Sequence, residues 1–223
     1  MHEEDKRTAA MAAVAEVLPG MLVGLGTGST AFFAIEALGR RVRGGLAISA
    51  VATSRESERQ ARALGIEVID FAGVASVDLT IDGADQIDGL CRAIKGAGGA
   101  MLREKTVAAA SRRMVVIADA SKRVEALTGP VPVEILPFAC ASVLAALGDG
   151  AVLRTAGDTP FVTDNGNWIA DVAADLDEPR AVATRFESIP GVLGHGLFLD
   201  EVNTVFLASR GVVTRLERSD PSR

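Results

Sequence analysis

The feature that most restricts the fold is the alternation of short apolar runs with helical patterns through the first half of the chain. Strand signals stand at 21–25, 46–52, 66–71, 77–81 and 114–118, and helical ones at 31–38, 55–64 and 101–110. Strands joined through helices form right-handed βαβ units and a parallel sheet. The expected class is therefore α/β, a Rossmann-like mostly parallel sheet with flanking helices. An alanine-rich helix is expected ahead of it at 3–18, with Met11, Val14, Val17 and Leu18 as its apolar positions and Pro19-Gly20 as its stop.

The texture changes at 130–137. Pro130, Pro132 and Pro137 do not belong in a central parallel strand, so a boundary is expected near Thr128. Beyond it, helices at 138–147 and 179–188, strands at 151–155 and 167–172, and a turn with a short strand at 190–198 suggest a smaller α+β (ferredoxin-like) domain with a mainly antiparallel sheet. Strand signals at 202–208 and 211–216 are assigned back to the first domain. The expected division is 1–128 with 202–223, and 129–201, and the polar end 219–223 is expected to fray.

Composition narrows the function. With 223 residues and a net charge of -6, the chain offers no basic face for nucleic acid, so an anionic ligand must be held locally by amides and a few lysines. Cys91 and Cys140 form no CxxC pair and the histidines are only His2 and His195, so neither a disulfide framework nor a metal site is indicated. The acidic start does not resemble a signal peptide, and no apolar run reaches the length of a membrane span. A soluble cytoplasmic protein is expected.

Chemistry-bearing residues gather at the tips of the expected strands. Asp82-Gly83-Ala84-Asp85 follows the run at 77–81, where a parallel sheet opens its ligand crevice. Downstream, Lys95-Gly96-Ala97-Gly98-Gly99 leads into a helix that carries Glu104. Successive amides in such a loop can nest an anion, and carboxylates beside an ammonium can hold one acid and one base at neutral pH. Plainer roles are open for each: an Asx-turn for Asp82 and Asp85, a solvated strand end for Lys95, and a capping role for Glu104. Upstream, Gly26-Thr27-Gly28-Ser29-Thr30 joins a strand to a helix N-terminus. It lacks the third glycine of a dinucleotide fingerprint and has no G-K-[ST], so it suits a small phosphate ester better than a nucleotide. A capped βα turn is the alternative. Lys122, after the strand at 114–118, is a second candidate cation.

Taken in order, Gly24 to Thr30, Asp82 to Asp85, Lys95 to Lys105, Ala118 to Lys122, Pro132-Val133-Glu134 and Thr163 to Asn167 resemble the ribose-5-phosphate isomerases of the A type over nearly the whole chain. The resemblance implies conversion of ribose 5-phosphate to ribulose 5-phosphate, in the non-oxidative pentose phosphate pathway, with no metal or organic cofactor. It makes Glu104 the general base and Asp82 the residue assisting ring opening and proton shuttling. Asp85 would position sugar hydroxyls. Lys95 and the amides of Gly96, Ala97 and Gly98 would stabilise the oxyanion, with Gly83 and Ala84 leaving room for the sugar. The phosphate would lie on Thr27, Gly28, Ser29 and Thr30, with Lys122 and Lys6 supplying charge. A homodimer or dimer of dimers is implied as well. Ala97 departs from the usual all-glycine run, which introduces strain if that position needs positive φ; Gln86 stands where the family commonly has Glu. A silent sugar-phosphate sensor on the same scaffold would need only the phosphate loop, and an amino-sugar phosphate deaminase would need histidines this chain lacks.

Overall fold

The computed structural model describes residues 2–219; of the tail expected to fray, 220–223 lie outside the described residues. Along the chain run α1 (His2–Val14), β1 (Leu22–Leu25), α2 (Ser29–Arg43), β2 (Ser49–Ala52), α3 (Arg55–Ala63), β3 (Glu67–Val68), β4 (Leu79–Asp82), β5 (Gln86–Ile87), β6 (Ala93–Ile94), α4 (Met101–Ala109) and β7 (Met114–Asp119). Then follow β8 (Val131–Ile135), α5 (Cys140–Leu147), β9 (Ala151–Leu153), β10 (Thr155–Ala156), β11 (Thr159–Pro160), β12 (Trp168–Val172), α6 (Pro179–Glu187), β13 (Val192–His195), β14 (Leu197–Phe198), β15 (Val202–Ser209) and β16 (Val212–Glu217).

The large sheet has the order β16-β15-β7-β4-β1-β2-β3, parallel throughout except for β16 at its edge. From β1 the chain steps outward to β2 and β3, then crosses back to β4 on the other side of β1. The C-terminal ends of β1 and β4 are thus a topological switch point, where such sheets open a crevice. Both faces are covered. Every residue of β4 and β7 is buried, with Val115 and Ile117 entering one core and Met114, Val116 and Ala118 the other. The alternation at 77–81 therefore does not separate core from solvent: Thr80 is buried, and Ser111 Oγ lies 2.7 Å from its hydroxyl. Gly24 makes room for that hydroxyl, since a Cβ there would lie 2.0 Å from it.

Several expected elements are shortened or shifted. The strand at 66–71 keeps only two residues, because Asp70 caps a 3-10 turn at Phe71–Gly73 by accepting from the Ala72 amide. Of the expected apolar positions Val14 and Val17 are buried but Met11 and Leu18 are exposed; α1 also buries Ala9, Ala10 and Ala13, small side chains that let it lie close against β7, β15 and α2.

The second sheet has the order β13-β8-β12-β9, antiparallel throughout. Its β-α-β-β-α-β sequence and interleaved order give the ferredoxin-like arrangement. Val131, Val133, Ile135, Val172 and Phe186 build its core. Sequence reasoning missed β8, because the prolines that argue against a parallel strand lie on and beside an interior antiparallel one. Pro132 is tolerated because its carbonyl accepts from Gly196 N at 2.7 Å, while the Gly196 carbonyl turns to Lys95 N at 2.9 Å and needs nothing from the proline. Gly196 thus joins the second sheet to the small β14-β6-β5 sheet. A Cβ there would lie 2.0 Å from the Lys95 carbonyl oxygen. Gly196→Ala is expected to lower stability by roughly 1–3 kcal/mol through overpacking, read as a shifted midpoint in urea unfolding.

Candidate active site

At one end of the switch-point crevice, α2 starts without a side-chain cap. Its N-cap is Gly28, at φ 99, so the first amides of the helix are not covered by Ser29 or Thr30. Open amides and the helix dipole together favour an anion here. Lys6, from α1, donates to Ser29 Oγ at 2.8 Å and brings an ammonium to the same point. Lys122 lines the cleft from the turn after β7. Thr27 behaves differently from Ser29 and Thr30. Its Oγ1 lies 2.8 Å from Thr53 and 3.3 Å from Ser57. Those two hydroxyls also reach the carbonyls of Leu25 and Gly26, so the Thr27 hydroxyl belongs to a network inside the protein. Thr27 lines the cleft wall with its hydroxyl engaged by these two neighbours.

At the other end, Lys95 is 3% exposed, with its Nζ 2.9 Å from Asp82 Oδ2 and 3.2 Å from Glu104 Oε2. It also donates to the Gly83 carbonyl. The two carboxylate contacts are close but poorly aligned, leaving both facing oxygens charge-paired without a well-formed hydrogen bond. Asp82 is fully buried. Its Oδ1 accepts from Gly83 N at 2.7 Å and Thr27 N at 3.1 Å, and it lies so tightly under Gly26 that a Cβ there would be 2.0 Å away. Asp82 thus stands behind the cleft wall, paired with the Lys95 ammonium.

None of the plainer roles survives the geometry. Asp82 bonds its own neighbour and Thr27 rather than closing an Asx-turn, and Asp85 reaches across to Ala97 N at 2.9 Å. Glu104 caps nothing, since Ala100 is the N-cap of α4 and the Glu104 side chain turns inward to Lys95. Burial pushes the Glu104 carboxyl up, the Asp82 charge pushes it further, and Lys95 only partly opposes, leaving it at about 8. Burial raises Asp82 too, against the pull of Lys95. For Lys95, burial works against the charge, but Asp82 and Glu104 outweigh it and hold the ammonium protonated. Two carboxylates facing one buried ammonium retain a proton at neutral pH.

The glycine-rich loop closes the cleft. Gly96 and Gly99 have φ of 114 and 79, whereas Ala97 has no positive φ, so its methyl introduces no strain. The two ends converge: a Cβ on Gly83 would lie 3.7 Å from the Thr30 side chain, and one on Gly98 would lie 4.0 Å from that of Thr27. Together they line one cleft of about 270 Å³ with Ala84, Asp85, Lys95, Gly96, Ala97, Glu104 and Lys122. Of the expected site residues, Asp82 lies behind this cleft and Lys6 at its rim. A larger depression of about 620 Å³ lies between α3 and α4, but Arg62 there is paired with Glu58, and Arg103 is spent on Asn165 and Asp164.

Sequence reasoning gave no role to the residues that support α4 from the second sheet. Glu134, fully buried, accepts from Thr163, Asn165 and Asn167 at 2.8–3.0 Å, and Asn165 in turn accepts from Arg103 beside Glu104. Thr163 to Asn167 is thus a clamp on α4. His195, bonded to Glu187 and to Leu197 N, is buried away from the cleft.

Fold and site together are those of an α/β enzyme with a buried acid–base cluster at the switch point of its sheet. Residues 49–211 match the family described as ribose 5-phosphate isomerase A (phosphoriboisomerase A). The ribose-5-phosphate isomerase A of Sphingopyxis alaskensis is 50% identical over 97% of both chains, and that of Methanosarcina acetivorans 47% identical over 92% of this chain and 91% of its own. The solved ribose 5-phosphate isomerase A of Methanocaldococcus jannaschii superposes with a TM-score of 0.92 at 36% identity, covering 96% of this chain and 99% of that one. A D-ribose-5-phosphate isomerase in complex with phospho-erythronic acid gives 0.93 at 34%, covering 98% and 100%. The chain belongs to the ribose 5-phosphate isomerase A family and is an isomerase.

Proposed function

We propose that Glu104 is the base with which this isomerase interconverts D-ribose 5-phosphate and D-ribulose 5-phosphate through an enediolate. The observation that carries the reading is the Lys95 ammonium, buried between Asp82 and Glu104 in a cleft whose far end is an uncapped helix N-terminus. Ionised Glu104 takes the proton from C2 of the open-chain aldose, and negative charge moves onto the carbonyl oxygen. Lys95 and a loop amide stabilise that charge as it develops. Glu104 then returns its proton to C1, while the hydroxyl proton passes from O2 to O1 through the Lys95–Asp82 pair, giving the ketose. Asp85 holds the Ala97 amide with one oxygen and offers the other to a sugar hydroxyl. The phosphate rests on the first amides of α2, the Ser29 and Thr30 hydroxyls, Lys6 and Lys122.

The base must be ionised, and its folded pKa lies above the ordinary carboxyl value, at about 8. The kcat/KM is therefore expected to rise with pH through an apparent ionisation near that value. The stability conferred by the retained proton runs the other way: complete below the ordinary carboxyl value, it is lost as pH rises through about 8. The test is to incubate purified, chelator-treated protein with ribose 5-phosphate and follow ketose formation across this range. No ketose would sink the reading; turnover with a flat pH profile would remove the shifted Glu104 ionisation.

Family membership supports a cytoplasmic enzyme of the non-oxidative pentose phosphate pathway, working as a homodimer or a dimer of dimers. Among the described residues no helix is long and apolar enough to cross a membrane. The exposed Phe138 and Leu193, near the edge strand β13, support a contact between copies. Separate hydrophobic cores support two units, 1–128 with 202–223, and 129–201.

A further inference from the structure

We propose that Arg154 is a positioning residue that aims the Gly98 amide at the developing oxyanion. The inference rests on the enediolate reading above and names the device that sets its geometry. Arg154 follows β9 in the second sheet, and its fork is held by Asp171 on β12, with Nε 2.8 Å from Oδ2 and Nη2 on Oδ1. This leaves Nη1, which donates to the Gly96 carbonyl at 2.9 Å and the Ala97 carbonyl at 3.1 Å. A trans peptide is planar with its C=O and N–H opposed, so drawing both carbonyls toward Arg154 turns both following amides the other way. One of them, Ala97 N, is taken by Asp85 at 2.9 Å. The other, Gly98 N, has no hydrogen-bond partner among the described residues, and Gly98 lines the cleft with Lys95 and Glu104. A guanidinium on the carbonyl side also polarises those peptides and strengthens the amides as donors. Phe161 locks the far end of the loop, lying so close to Gly99 that a Cβ there would be 2.4 Å from its ring.

Sequence reasoning assigned the loop amides to the oxyanion without anything to orient them. A glycine-rich loop left to itself samples many conformations, and an amide misplaced by an ångström loses most of its effect on the rate. Arg154 lies 58 positions from Gly96 in sequence and removes that freedom.

The test compares wild type with Arg154→Met, Arg154→Lys and Asp171→Asn. Four quantities are read: kcat and KM for ribose 5-phosphate, affinity for phospho-erythronic acid, whose carboxylate resembles the enediolate, affinity for inorganic phosphate, and the Gly98 amide proton shift on adding the sugar acid. In Arg154→Met, kcat is expected to fall about 100-fold, the order lost with one oxyanion donor, with KM within about threefold. Affinity for phospho-erythronic acid should fall in step and that for phosphate should hold. Arg154→Lys should recover part of the loss and Asp171→Asn should show a smaller one. Unchanged kcat and sugar-acid affinity in Arg154→Met would overturn the proposal. So would a parallel loss of phosphate affinity, which would mark collapse of the whole cleft, or a Gly98 amide that does not shift in wild type. Wild type that makes no ketose would instead fail the isomerase reading, while the Gly98 shift would still report on the loop.

Discussion

Glu104→Gln is expected to lower kcat by about 10³–10⁴-fold, the upper part of the range for removing a positioned base, while KM for ribose 5-phosphate changes by no more than a few-fold. The amide keeps the shape of the side chain and its place beside Lys95, and the phosphate end of the cleft is untouched. Only the ability to accept the C2 proton is lost. The substitution also removes one of two buried carboxylates that share a single ammonium. Above about pH 8, where wild type has lost the retained proton, the variant should unfold at an equal or higher temperature. Near-normal turnover in Glu104→Gln would take Glu104 out of the base role.

Lys95→Met should damage both activity and stability. Removing one partner from a buried charge cluster leaves the others uncompensated, typically a loss of about 3–5 kcal/mol. Here the orphaned groups are Asp82 and Glu104, each almost fully buried. Without the ammonium both carboxyls are pushed further up and must hold their protons to stay folded. The destabilisation is therefore expected to be larger at pH 8 than at pH 5, a difference that urea unfolding at the two values would measure. Activity should fall by at least about 100-fold at either pH, since the main charge facing the oxyanion is gone. Equal destabilisation at the two pH values would mean that the carboxylates do not depend on Lys95.

The sequence made the site legible to the extent that chemistry sits at strand tips. Asp82 and the loop at Gly28 sit at the C-terminal tips of β4 and β1, which the parallel sheet brings to one edge, while Lys95 and Glu104 follow β6 of the small sheet into α4. What it hid was depth. Nothing near Asp82 in the chain says that Gly26 will sit on its carboxylate or that Thr53 and Ser57 will engage the Thr27 hydroxyl, because those neighbours come from other elements. Arg154 went unnoticed and Glu134 was marked without a role for the same reason, as both bond to loops far away in sequence. The strand β8 was missed because the proline rule was applied to the wrong kind of sheet. The tolerance of Pro132 depends on Gly196 turning its carbonyl to a third segment, which no local pattern announces.

The anchoring of α1 ties the rim of the cleft to the far hairpin of the large sheet. Lys6 reaches Ser29 from a helix whose neighbouring Asp5 accepts the Gly211 amide at 3.0 Å, in the hairpin between β15 and β16. The alanine face of the same helix rests on Phe206 and Ala208. A change in that hairpin, far from the cleft in sequence, would therefore shift α1 and with it the Lys6 ammonium beside Ser29.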